Sequence, residues 1–210
     1  KNGWTPLHYA AFHGSAKFAK LLISRGAELS PADKDGFRPA FYAVRQGNKA
    51  IAKRLIKAGA DYDLNLAVCI GDEERVRQLF QESENAIELA PFPDYLVEDA
   101  VIDIKAKIIE ELSFEPGYEE NLSIMKKHDT ILRVLLENNA PINARYSLFD
   151  SCQMNHPYIT RLLLQHGADP NVKHYDSDLS SFFYHSSCPD EMYQTLKEFG
   201  YRGAAPGKKR

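Results

Sequence analysis

Glycine punctuation at a fixed interval constrains this chain more than any other feature. Gly3, Pro6, Gly14, Gly26 and Ala27 recur at Gly36, Pro39, Gly47, Gly59 and Ala60, each 33 positions on. Within the first unit Thr5 is a good N-cap residue, and Pro6 suits the first helical position, where its missing N–H is no loss. Ala10 and Ala11 let a neighbouring helix approach closely. Gly14 and Gly26 fall where two helices must end in a left-handed residue, a conformation glycine adopts without steric cost. A unit of one turn and two short helices cannot bury its own apolar face, so the pattern demands stacking on neighbours of the same kind.

The stretch Gly3-Trp4-Thr5-Pro6-Leu7-His8-Tyr9-Ala10-Ala11 resembles the opening of an ankyrin repeat, a β-turn plus two antiparallel helices marked by T-P-L-H-x-A. Leu162-Leu163-Leu164-Gln165-His166-Gly167-Ala168-Asp169-Pro170-Asn171 resembles the ending of the family's second helix. The resemblance implies an all-α ankyrin-repeat solenoid of about six helix-turn-helix repeats, with β-turn fingers developed only at the N-terminal end. It also implies recognition of a protein partner on the concave face made by finger tips and first helices. In the family the Thr and His of the motif hold the turn against its neighbours. Arg38 and Phe41 stand at those positions in the second repeat and cannot reproduce this, so that junction is expected to rely more on packing.

The repeats are placed at about 1–32, 33–60, 61–83, 91–143, 144–172 and 173–203. Helices are expected at 6–13 and 16–25 in the first. Its Leu7, Ala11 and Leu21 would present an uncovered face, so adjoining repeats, another domain or a partner is expected at that end. The third repeat is abbreviated, since Gly59 to Gly71 spans 12 residues where Gly26 to Gly47 spans 21. Asp61 or Asp63 caps its first helix, and Asp72-Glu73-Glu74 place acids in the first turn of its second, where they suit the helix dipole. In the fourth, Asp94 opens a long helix carrying Leu96, Val97, Ala100, Val101, Ile104, Ile108 and Leu112 at three-to-four spacing. Pro116-Gly117 breaks it, an insertion spans about 112–121, and one further helix runs to Asn138. In the fifth, Leu148, Ser151 and Cys152 take the core positions of Leu7, Ala10 and Ala11. The sixth, with Phe182, Phe183 and Tyr184, reads as a divergent cap, and 204–210 as a basic flexible tail.

Three cysteines, Cys69, Cys152 and Cys188, are an odd number at wide spacing, which fits a reducing compartment and no disulfide framework. A cytoplasmic location is expected, with the nucleus or a host cytosol as alternatives, and no apolar run reaches the length of a membrane span. The net charge of −3 hides a segregation: residues 1–63 carry 11 Lys and Arg against 5 Asp and Glu, and residues 72–120 carry 15 Asp and Glu against 4 Lys and Arg. Such asymmetry bears on partner choice and encounter rate rather than on fold. The basic residues lie on second helices, as Lys17, Lys20, Lys49, Lys53, Arg54 and Lys57, facing outward in this architecture. Nucleic acid is therefore disfavoured as a partner, and an acidic protein or a membrane surface stays open.

Enzymatic readings are weak. Cys152 with His156, or His185 with Cys188, would make a nucleophile and base if folded together. Cys152 sits at a small core position, however, and no motif places a carboxylate to orient the histidine. His174 with His185-x-x-Cys188 is not a spacing that assembles a tetrahedral zinc site, and no Gly-rich phosphate loop is present. No catalytic residue, metal or cofactor is expected.

Aligning the first two repeats puts Trp4 over Phe37 beside the finger glycines, Tyr9 over Tyr42 on the first helices, and Phe12 over Arg45 a turn further on. With Arg38, these form the expected partner-binding column, because Leu7, Ala10, Ala11, Leu21 and Ala43 suffice for the core. The function expected is non-catalytic protein recognition. The alternatives are the targeting domain of a larger enzyme or secreted effector, whose catalytic part lies elsewhere, and a thiol enzyme built on Cys152. Asn143 and Asn171 each follow a leucine by eight residues, a pattern resembling hydroxylated ankyrin asparagines, the alternative being a side chain that hydrogen-bonds across the turn.

Overall fold

The computed structural model describes residues 2–111, 118–142, 146–154, 157–173, 179 and 189–205. Regular structure among the described residues is helical throughout. The chain divides into two compact units, 1–91 and 92–210.

The N-terminal unit holds three helix pairs: α1 Pro6–Phe12 with α2 Ala16–Ser24, α3 Pro39–Arg45 with α4 Lys49–Lys57, and α5 Leu64–Ile70 with α6 Glu73–Glu82. The first helices α1, α3 and α5 stack in a row, each backed by its own second helix, and α2 also packs on α4. Alanine makes the close stacking feasible: Ala10, Ala11, Ala19, Ala43 and Ala52 are all buried. Around them Leu7, Ile51, Leu55 and Leu66 complete one apolar core.

Helix ends are closed by side chains from the turns. Asp63, not Asp61, caps α5 by accepting the Leu66 N–H at 2.9 Å, and Asp72 caps α6 through the Arg75 N–H at 3.0 Å. At the end of α1, Asn48 Nδ2 donates to the Ala11 and Phe12 carbonyls at 3.0 and 3.2 Å, the former also accepting the Gly14 N–H at 3.4 Å. A side chain at residue 14 would force that amide to shift. Gly14 has φ +70°, and a Cβ there would lie 2.7 Å from Asn48 Oδ1.

The junction after the second repeat differs from expectation. It is packed, with α3 against α5 and Phe41 buried, but it is also bridged by charge. Arg38 reaches into the next repeat, with Nη1 2.8 Å from Asp63 Oδ2 and Nη2 3.3 Å from Asp61 Oδ2. A guanidinium has the reach that the short Thr5 hydroxyl lacks.

In the C-terminal unit a single 3-10 turn, Pro93–Tyr95, leads into α7 Leu96–Glu111, followed by α8 Tyr118–His128, α9 Thr130–Glu137, α10 Ser147–Cys152, α11 Pro157–Gln165 and α12 Pro189–Glu198. Asp94 lies within the 3-10 turn rather than capping α7. The apolar stripe of α7 is buried from Leu96 to Ile108 at the positions its periodicity marks. Where one helix was expected up to Asn138 there are two, separated at Asp129. The buried Asp129 carboxylate accepts the Tyr158 hydroxyl and Arg133 Nε, both at 2.7 Å. That anchorage lets α8 bury Ile124 and Met125 while α9 separately buries Ile131, Leu132, Leu135 and Leu136. Of the expected insertion, residues 118–121 are helical, and 112–117 lie outside the described residues. So do Asn143, His156, His174, Phe182, Phe183, Tyr184, His185, Cys188 and 206–210 of the tail. The Asn171 side chain bonds to the following repeat rather than across its own turn, donating to the Gly200 carbonyl at 3.2 Å and accepting the Arg202 N–H at 2.9 Å.

Candidate partner-binding surface

The finger of the second repeat is organised by Asp33, which is 8% exposed. Its Oδ1 accepts the N–H groups of Asp35 and Phe37 at 3.0 and 2.9 Å, forming the turn locally. Its Oδ2 accepts the Trp4 indole N–H at 3.0 Å and the Tyr42 hydroxyl at 2.7 Å, from the finger before it and the helix after it. Burial alone would push this carboxyl up. The Tyr42 hydroxyl, the two backbone donors and the indole outweigh it and hold Asp33 below the ordinary value of 3.8. Burial and the same bond to Asp33 push the Tyr42 phenol up to about 12.

His8 ties the two fingers a second time. Its Nδ1 accepts the Thr5 N–H and faces the Thr5 hydroxyl, each at 3.0 Å, while Nε2 lies 3.1 Å from the Phe37 carbonyl. A carbonyl can only accept, so Nε2 is the donor to Phe37. The backbone joins the fingers once more through Lys34 N–H to the Asn2 carbonyl at 3.1 Å.

Trp4 is thus fixed at its polar end, and three rings gather on it: Tyr42 with centroids 4.7 Å apart, Tyr9 at 5.0 Å edge-on, and Phe12 at 5.2 Å. Such tilted and edge contacts are the preferred aromatic geometries. Tyr9 is 51% exposed, and Arg45 is exposed on α3 with its guanidinium carbon 5.8 Å from the Phe41 ring centre.

The seven residues singled out in the sequence therefore fall into distinct settings. Trp4, Tyr9, Phe12 and Tyr42 form one cluster, and Phe37 adjoins it at 5.8 Å from Tyr42. Tyr42 and Trp4 hold the finger through Asp33, a structural duty the sequence reading did not assign to them. Arg38 is committed to Asp61 and Asp63. Asp33 itself was missed, although an Asp three positions before a turn glycine, as in Asp33-Lys34-Asp35-Gly36, is the local signal for such a turn.

Asp33 is saturated with donors, so it orients the rings and has no free lone pair aimed at a substrate. Cys152 is 1% exposed, and burial pushes its thiol up to about 12. No group of three or more His, Cys, Asp or Glu among the described residues is placed to hold a metal ion, and no described helix is long and apolar enough to cross a membrane.

The family model "Ankyrin repeats (3 copies)" matches residues 1–66, and the model "Ankyrin repeat" matches residues 148–175. No curated protein matches the chain. Among solved structures, the chain is similar to the human ASB11 ankyrin repeat domain, at 19% identity over 95% of this chain and 85% of that one, with a TM-score of 0.45. It is also similar to the ankyrin repeat domain of Bcl-3, a member of the IkappaB protein family, at 20% identity over 96% and 89% of the two chains, with a TM-score of 0.40.

Proposed function

Residues 1–66 and 148–175 make this chain an ankyrin-repeat protein, and on that premise we propose that it is a non-catalytic recognition module. Its N-terminal unit binds a protein partner on the concave surface of fingers and first helices. The observation that carries this reading is Tyr9: half its surface is open, while the ring rests edge-on against a tryptophan locked to Asp33. An aromatic side chain held in place before binding loses little entropy on contact, which is the condition for a hot spot. Arg45, exposed on the neighbouring first helix, supplies a charged contact. Cys69 and Cys152, both buried and neither in a disulfide, support a cytoplasmic or other reducing setting.

A pull-down with wild type beside Tyr9→Ala/Arg45→Ala, read by mass spectrometry, tests the proposal. The variant should lose a protein that wild type retains, with a binding cost of about 2–4 kcal/mol. Equal recovery by both proteins would sink it. Tyr42 is left intact because its bond to Asp33 would mix binding with stability.

A second observation supports adjoining repeats at the α2 side. Phe18 is 43% exposed, whereas Ile51, its counterpart at the same repeat position, is 3% exposed. A further helix pair stacked on α2 would bury Phe18 as Ile51 is buried. Phe18→Ser should change the stability of this chain by less than about 0.5 kcal/mol. The same change should erase the rise in Tm produced by a repeat fused ahead of α1, and a rise that survives it would count against this reading.

A further inference from the structure

The first helices α1, α3 and α5 stack continuously, but the second helices do not: α2 packs on α4, whereas α4 and α6 make no comparable contact. The gap is a cleft of about 600 Å³. Its walls carry the half-buried apolar side chains of Ile56, Ile70 and Tyr62, with Lys53 and Lys57 on the α4 side and Asp72 and Glu73 at the start of α6.

Charge on this side of the unit is one-signed up to the cleft. Helices α2 and α4 carry Lys17, Lys20, Lys49, Lys53, Arg54 and Lys57 and no acidic residue. Lys53 and Lys57 lie one turn apart on the exposed side of α4, facing the same opening. On the opposite wall Asp72 is already engaged, Oδ1 with the Arg75 N–H and Oδ2 with the Tyr62 hydroxyl at 2.6 Å.

We propose that this cleft is a second docking site, separate from the Tyr9 surface, and that it takes an acidic amphipathic segment of a partner protein. Carboxylates of the segment pair with Lys53 and Lys57, and an apolar side chain between them seats on Ile56 and Ile70. Glu73 across the cleft repels a second carboxylate and so fixes the direction in which the segment lies. The same wall disfavours nucleic acid, because Asp72 and Glu73 stand against a phosphate backbone. A bilayer is disfavoured because the isoleucines line a recess and do not protrude into a hydrocarbon layer. The one-signed field of α4 beside the cleft speeds encounter with such a segment, and salt weakens it.

The probe is a fluorescein-labelled peptide of Glu, Ala and Leu patterned as an amphipathic helix, titrated by anisotropy beside the same pattern with Lys in place of Glu. The acidic peptide should bind saturably and more weakly as salt rises, and the basic one should not bind. Lys53→Glu/Lys57→Glu should weaken binding by about tenfold or more, while Lys17→Glu/Lys20→Glu, away from the cleft, changes it by less than about threefold. Tyr9→Ala should leave it unaltered, so failure here and failure of the first surface are told apart. Unchanged melting curves exclude unfolding of the exposed-lysine variants. Absence of saturable binding, or binding indifferent to Lys53 and Lys57, overturns the proposal. Capture of phosphatidylserine vesicles or duplex DNA by the same lysines in preference to the peptide overturns it as well.

Discussion

The hydroxyl of Tyr42 donates to Oδ2 of Asp33 at 2.7 Å, on the same oxygen that receives the Trp4 indole. One carboxylate thereby joins the finger of the second repeat to both the preceding finger and the following helix. Asp33→Asn keeps the shape but trades a charged acceptor for a neutral amide. It should cost about 1–3 kcal/mol in urea unfolding, the scale of hydrogen bonds to a charged group. Tyr42→Phe should cost less, because Trp4 and the two backbone donors remain satisfied.

The pH dependence follows from the direction of each shift. Asp33 lies below 3.8 when folded, so its contribution is fully present above about pH 4 and is lost as pH falls through the folded value. Tyr42 is raised from 10.0 to about 12, so its contribution is present below pH 10 and is lost as pH rises through 12. Urea midpoints measured across pH should show a flatter acid limb for Asp33→Asn and a flatter alkaline limb for Tyr42→Phe. Acid limbs identical to wild type would exclude the carboxylate as the anchor.

Two neighbouring residues from the same sequence column should behave oppositely. Arg38→Ala breaks a bridge to Asp63, which also caps α5, and should cost about 1–2 kcal/mol of stability. Tyr9→Ala removes an exposed ring and should stay within about 0.5 kcal/mol of wild type while losing partner binding. Thermal melts of the two single variants separate these roles. A larger loss for Tyr9→Ala than for Arg38→Ala would reverse the assignment.

Cys152 provides a direct chemical check. It is buried beside Thr160 Oγ1 at 3.9 Å, with its thiol pushed up to about 12 by burial, so the reactive thiolate is scarce at neutral pH. Iodoacetamide should leave it unmodified in the native protein and alkylate it after unfolding, as read by peptide mass spectrometry. Rapid native labelling would revive the thiol-enzyme reading.

What could be read from the residues alone was local. Pro6 and Pro39 at helix starts, glycines after helix ends and the three-to-four spacing of α7 each act within a few positions of themselves. The features that escaped depend on partners brought together only by folding. Asp33 shows its turn signal, but nothing near it announces that Trp4 and Tyr42 converge on one oxygen. Arg38 was read as a surface contact because its acids belong to the next repeat. The step at Asp129 was invisible for a similar reason: an aspartate is compatible with a helix, and the group that claims its carboxylate, Tyr158, lies two helices on.

The close approach of Gly14 to Asn48 has an evolutionary corollary. Any side chain at position 14 would displace the amide that closes α1, and without that amide the space it fills would no longer forbid a side chain. The two positions therefore share a steric constraint, added to the φ of +70° that by itself favours glycine at 14: among sequences descended from this one, the few that replace Gly14 should be ones that have also given up Asn48.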